Sequence, residues 1–187
     1  MSMEHLDHDA LDAGLSHIRS APTDRGTVDM VVRRPAEDER EILRVGSLDP
    51  EVGLVGDNWF QRPSSATPDN GPHPDKQLNV MSSRVIDLVS GDRDRWHLAG
   101  DQLFLDLDLS EANLPPGTRL AMGTAVIEVT DQPHTGCAKF VRRFGAEARR
   151  WVNTTEGRAL RLRGLCARVV QQGEVRPGDE VVKLSGD

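Results

Sequence analysis

The residue types able to do chemistry are densest in one short stretch, Asp131-Gln132-Pro133-His134-Thr135-Gly136-Cys137-Ala138-Lys139, where an apolar strand pattern stops and a helical one begins. Backbone N–H groups at a helix N-terminus favour a thiolate, and a neighbouring Lys139 or protonated His134 would lower the Cys137 pKa further. Such a sulfur serves near neutral pH as a nucleophile or a soft metal ligand. Pro133 and Gly136 fix the turn and leave the approach uncrowded. The same residues also fit a small packing cysteine, the commoner fate of a free thiol. Cysteine hydrolysis is a further alternative, because His134 stands three residues from Cys137; no orienting partner for its imidazole is evident.

Cys166 lies in an apolar run and reads as core. Two cysteines are too few for a disulfide framework, and in a reducing compartment both stay free thiols. A structural zinc built from His134, Cys137 and Cys166 would lack paired CxxC spacing. His5, His8 and His17 belong to an exposed terminus, and His73 to a proline-rich loop from which it could swing over the site.

The chain has 187 residues and 28% charged residues, with a net charge of −7. That length suits one domain with a short extension. The negative charge, the seven aromatic residues and the absence of tyrosine argue against nucleic-acid binding. No apolar run approaches the ~20 residues of a membrane span. The acidic N-terminus lacks the basic start and apolar stretch of a secretory signal, so a cytoplasmic location is expected. Charge is unevenly spread. Residues 1–60 hold thirteen acids against six arginines, whereas residues 138–168 hold nine bases against Glu147 and Glu156. The basic stretch is either a solvated helix face or a positive rim beside an anion site.

The elements that position these residues follow from periodicity. Leu11, Leu15 and Ile18 are spaced for a short N-terminal helix ended by Pro22, within an extension over residues 1–22. Thr27 to Arg34 and Glu41 to Val45 read as a hairpin around Glu37-Asp38-Glu39. Residues 61–77 contain four prolines and no large apolar residue, so no packed element is expected there. Leu78 to Met81 reads as a strand, followed by a helix that Ser82 or Ser83 caps. Leu103 to Leu109 alternates as a half-buried strand, which puts Asp106 and Asp108 on a solvated face. Leu120–Met122 and Ala125–Thr130 form a hairpin. Ala138 to Trp151 reads as one helix with Gly145 as its weak point. Arg163–Gln171 and Glu180–Leu184 close the chain as strands. Short strands, Gly/Pro turns and few helices favour a mainly β protein, a closed or partly closed barrel over residues 23–187.

In this order and spacing, five features resemble the stand-alone bacterial form of the MOSC domain, named for the C-terminal region of molybdenum cofactor sulfurases. They are Gly53-Leu54-Val55-Gly56-Asp57, Gly117-Thr118-Arg119-Leu120 leading to Gly123, the strand Val126–Thr130, the cysteine turn, and Val175-Arg176-Pro177-Gly178-Asp179-Glu180-Val181. The similarity runs from about Gly26 to Lys183. It implies a barrel of the pyruvate-kinase-barrel-like kind and places the family cysteine at Cys137. In relatives that cysteine is tied to sulfur carriage or molybdenum-cofactor chemistry, including reduction of N-hydroxylated bases and amidoximes.

On that resemblance Cys137 would ligate molybdenum or carry sulfur. Lys139, Arg142 and Arg143 would receive the anionic part of the cofactor, and Asp57, Asp101 and His134 would line the pocket. Asp57 also reads as a turn carboxylate. The expected partners are a small-molecule substrate and an electron-donor protein. Pyridoxal phosphate is not expected, since only Lys76, Lys139 and Lys183 are present and none has a Schiff-base signature. Two departures stand out. Many members have Gly-Glu-Asn where this chain has Gly100-Asp101-Gln102, and many place a proline before the cysteine and an arginine upstream, where Gly136 and His134 stand here. The competing reading is a non-enzymatic binding module on the same barrel. Its mark would be an unreactive, apolar-lined Cys137 without a pocket.

Overall fold

A computed structural model describes residues 5–186. The strands are β1 (Arg25–Arg33), β2 (Glu41–Leu43), β3 (Gly46–Asp49), β4 (Gly53–Leu54), β5 (Leu78–Ser82), β6 (Leu103–Asp106), β7 (Arg119–Met122), β8 (Ala125–Val129), β9 (Leu165–Gln171), β10 (Gly173–Val175) and β11 (Glu180–Lys183). The helices are α1 (His8–Ala13), α2 (Leu15–Arg19), α3 (Ser83–Ser90), α4 (Ala138–Phe144), α5 (Ala146–Val152) and α6 (Thr155–Ala159).

Seven strands close on themselves in the order β1-β11-β7-β8-β9-β5-β6 and back to β1, with β2 attached to β1 as an edge. The β5–β6 pair is parallel, because α3 and a 3₁₀ segment over Arg93–Ala99 return the chain to the same end of the barrel. The barrel is therefore mixed and mainly β, and closure leaves it few open edges. A separate sheet of β10, β3 and β4 caps one side.

Period-two alternation divides the core in two. Inward side chains such as Val28, Leu103, Leu105, Ile127, Leu165 and Val181 fill the barrel. Outward ones, Met30, Val32, Met81 and Phe104, pack beneath the helices against Val85, Ile86, Phe140, Phe144 and Trp151. Each fully buried side chain of this size stabilises the fold by about 1.5–3 kcal/mol. Both faces of β6 are thus covered, and Phe104 is buried rather than solvated. Asp106 is held by Arg84 at 2.7 Å, and Asp108 accepts from the Ser110 N–H at 2.9 Å. These two carboxylates serve structure.

The structure departs from the periodicity at several points. The expected helix over 138–151 is broken into α4 and α5 at Gly145, whose φ of 92° and ψ of 164° belong to a region only glycine adopts freely. The N-terminal helix is broken at Gly14, which packs closely against Leu88. Ser82 does stand at the N-cap of α3, but its hydroxyl makes no capping bond. Residues 61–77 hold a short 3₁₀ turn, Pro74–Lys76, and the Trp59 indole N–H donates to the His73 carbonyl at 3.2 Å, pinning the loop to the barrel. Among the described residues no helix is long and apolar enough to cross a membrane.

Candidate functional site

Cys137 is the N-cap residue of α4 and is exposed. Its turn is clamped from α5. The Gly136 N–H donates to Asn153 Oδ1 at 3.0 Å, and the Gly136 carbonyl accepts from Arg149 Nε and Asn153 Nδ2, both at 3.2 Å. Partial burial pushes the Cys137 thiol up, but the backbone N–H groups of Phe140 and Lys139, the Arg163 guanidinium and the residue's own N–H together hold it below its usual value. The Lys139 ammonium is not what activates it. That group is 3.0 Å from Glu37 and 3.1 Å from Asp38.

The sulfur opens into a cavity of about 410 Å³. Seven basic side chains line it, Arg34, Arg40, Arg62, Lys76, Lys139, Arg143 and Arg163, together with His73 and His134, and among the described residues no aspartate or glutamate does. Burial and mutual repulsion lower the pKa of Arg40 and Arg62, yet no arginine loses its proton in the physiological range. Arg40 Nε and Arg163 Nε are buried and lack a partner among the described residues. A polyanion is the ligand such a wall suits.

Behind this wall lies a buried charged chain. The Asp101 side chain is fully buried; it takes Arg163 Nη1 at 2.7 Å on one oxygen and His134 Nε2 at 2.8 Å on the other. Burial pushes the Asp101 carboxyl up, but Arg163 and His134 outweigh it and keep it ionised. Burial, reinforced by Arg163, holds His134 below its usual value despite Asp101. The imidazole is therefore neutral at pH 7, with its proton on Nε2 facing the carboxylate and a lone pair on Nδ1. This answers two expectations. His134 is not the cation that lowers the Cys137 pKa, a role Arg163 shares with the backbone. The orienting partner for its imidazole does exist, as Asp101. Among the described residues no hydrogen bond joins His134 to Cys137, so the nucleophile–base contact of a cysteine hydrolase is not made.

Asp57 stands behind the cavity rather than in its wall. Its carboxylate accepts from Arg34 N and Nε at 2.9 Å, Arg34 Nη2 at 2.7 Å and Trp59 N at 2.9 Å. Every lone pair is taken by structure, and Asp57 acts by aiming Arg34. Arg142, on the exposed face of α4, does not reach the cavity; Arg143 does, and it bonds the Leu98 carbonyl at 2.5 Å. Cys166 is buried at the cavity's inner wall, and burial pushes its thiol up to about 11. Among the described residues no cluster of three His, Cys, Asp or Glu side chains is arranged to hold a metal ion.

The structure thus brings Cys137, His134, Lys139 and Arg143 to one cavity, with Asp101 directly behind it. Arg163 belongs to the basic stretch offered above as a positive rim, but sequence reasoning missed Arg34, Arg40, Arg62 and Lys76. Arg34 and Arg40 come from the acidic first sixty residues, where net charge masks individual arginines, and Arg62 and Lys76 from the proline-rich loop.

A family model for the MOSC domain matches residues 69–182. Among solved structures, the YuaD protein of Bacillus subtilis is similar at 18% identity and a TM-score of 0.61, over 87% of this chain and 97% of that one. YiiM from Escherichia coli is similar at 21% identity and a TM-score of 0.56, over 87% and 71% of the two chains. YiiM from Geobacillus stearothermophilus follows at 16% identity and a TM-score of 0.51, over 88% and 75%. At these identities the likeness is one of fold. No curated protein matches the chain.

Proposed function

We propose, from the premise that this chain belongs to the MOSC domain family, that its cationic cavity receives the molybdenum cofactor and that Cys137 serves there as metal ligand or sulfur carrier. One observation carries the reading: an exposed, thiolate-favouring cysteine opens into a cavity lined, among the described residues, by seven basic side chains and no acidic one. The donor set fits the group. A thiolate is a soft ligand suited to a soft metal, and guanidinium and ammonium groups suit a phosphate.

When bound, the cofactor would supply redox chemistry at the metal or accept a sulfur atom. This chain's own residues do the rest. Backbone N–H groups and Arg163 favour the thiolate form of Cys137. Arg40, Arg62, Lys139 and Arg143 hold the anionic part of the ligand. Arg34 is fixed by Asp57 and adds positive charge at the wall. His134, neutral and locked by Asp101, accepts a proton at Nδ1. An oxidoreductase role would add a small-molecule substrate and an electron-donor protein, and the cytoplasm is the compartment in which the free thiols would persist.

The test is molybdenum content after purification from a host that makes the cofactor. Wild type and Cys166→Ser should retain metal, and Cys137→Ser should lose it. Equal retention in both variants would refute the assignment of Cys137. A binding module without this chemistry would carry no molybdenum in any form.

A further inference from the structure

A second cavity of about 300 Å³ lies on the other side of the His134 wall. The two cavities share Pro133, His134, Thr135 and Arg163, and otherwise differ in charge. Four ionic side chains besides Arg163 line the second one: Arg158 and Arg161, Glu111 and Asp131. Arg163 is already balanced there by Asp101. The other four form no ion pair among the described residues. Arg161 directs Nη1 at the carbonyls of Leu109 and Leu114, at 3.3 and 2.6 Å, and Asp131 accepts only from the amide of its neighbour Gln132, at 2.9 Å.

Three of the four, Glu111, Asp131 and Arg158, are exposed to solvent, and the fourth is fixed by its backbone. Arg161 sits at φ 49°, a left-handed conformation unusual for a bulky residue, and its guanidinium is tied to the turn before β7. Val152 and Leu165, both buried, supply an apolar floor. A lone anion would meet Asp131 and Glu111, and a lone cation would meet Arg158 and Arg161. A ligand carrying both charges on a short frame satisfies all four.

We propose that this cavity binds a small zwitterion of the α-amino-acid type, its carboxylate toward Arg158 and Arg161, its ammonium toward Asp131 and Glu111, and its side chain over Val152 and Leu165. The inner wall then presents His134. Its Nδ1 makes no hydrogen bond among the described residues and is not sealed from solvent, so it faces ligand or water. The proposal goes beyond the cofactor reading and does not require Cys137, which is absent from this cavity's lining.

The test uses the full chain with L-leucine as probe, followed by ligand-observed NMR and calorimetry, against leucinamide, which lacks the carboxylate, and N-acetyl-leucine, which lacks the ammonium. Leucine should bind saturably, and each derivative should bind about two- to fivefold more weakly, as expected when an ion pair to exposed side chains is lost. Arg158→Gln and Asp131→Asn, both at exposed positions, should each weaken leucine by several-fold without lowering Tm. Cys137→Ser should bind leucine like wild type, so loss of molybdenum and loss of leucine are separate outcomes. Absence of leucine binding, equal binding of all three probes, tighter binding of N-acetyl-leucine, or indifference to both substitutions would each overturn the proposal.

Discussion

Replacing Asp101 by asparagine keeps the size and shape of the side chain and removes one buried charge. In the native chain that carboxylate is fully buried and accepts from Arg163 at 2.7 Å and His134 at 2.8 Å, while the Arg163 side chain is 6% exposed. Neither charge is screened by solvent, so the discount that applies to surface pairs does not apply here. Breaking a buried pair by neutralising one partner costs about 3–5 kcal/mol. For a chain of this length 1 kcal/mol lowers Tm by about 2–4 °C, which puts Asp101→Asn roughly 10 °C below wild type. The geometry also fixes a second readout. Asparagine has one acceptor oxygen, which Arg163 claims, and its amide N–H₂ then faces His134 Nε2. The imidazole must move its proton to Nδ1, turning an acceptor at the cavity wall into a donor. Thermal unfolding at pH 7 gives the first quantity, and long-range ¹H–¹⁵N NMR of His134 gives the tautomer. A Tm within about 2 °C of wild type, less than 1 kcal/mol, would refute the reasoning about the ion pair. An unchanged Nε2–H tautomer in the folded variant would refute the reasoning about orientation.

Stability should fall as pH is lowered from 6.5, the usual histidine value, toward the depressed value of folded His134, because over that window only the unfolded chain takes up the proton. Denaturant titrations of wild type and His134→Gln from pH 7.5 to 5 check this, and the histidine variant should lose part of the slope. Alkylation should separate the two thiols. Cys137 should react with a midpoint below the ordinary thiol value, whereas native Cys166, pushed to about 11 and buried, should stay unmodified at pH 8; mass mapping of the labelled peptides reads both. Glu37→Gln with Asp38→Asn should free Lys139 and Arg143, and phosphate or molybdate binding to the cavity should tighten, modestly because these exposed pairs are screened by solvent, and more so at low salt. Gly145→Ala should cost about 1–3 kcal/mol at its glycine-only dihedrals, seen as a lower Tm; an unchanged Tm would mean that the break between α4 and α5 is not forced there.

Much of the barrel was legible because burial imposes a short period. The runs around Val28–Val32, Leu103–Leu107 and Ala125–Val129 alternate, and each became a strand whose inward set fills the barrel. What could not be read were elements too short to show a period: β3, β4 and β10 span four, two and three residues. Alternation alone puts Phe104 on the same face as Asp106 and Asp108, because it cannot tell a face open to water from one covered by distant helices. The split at Gly145 was visible only as a weak point, since apolar residues recur on one face across it and the break depends on dihedrals that one glycine permits.

The site divides along the same line. Cys137, His134, Lys139 and Arg143 lie within ten residues of one another, and local chemistry was enough to single them out. The residues that make the cavity cationic are scattered across the chain, from Arg34 to Arg163, and meet only because β1 and β9 belong to the same closed sheet. Formal charge misleads about them. The acids that make the first sixty residues negative are, in the pairs that matter here, turned away from the cavity: Asp57 grips Arg34 from behind, and Glu37 and Asp38 reach Lys139 and Arg143 from the exposed rim. Net charge therefore set no bound on what the cavity binds, because each carboxylate sits on the outer side of the cation it balances and leaves the inner side to the ligand. Glu37 and Asp38 differ from Asp57 in being exposed, at 79% and 57% of their side-chain surface, so an incoming anion can replace them, whereas it cannot displace Asp57. On the proposed reading, Lys139 and Arg143 would be the cations that exchange partners on binding, and Arg34 the one that stays fixed.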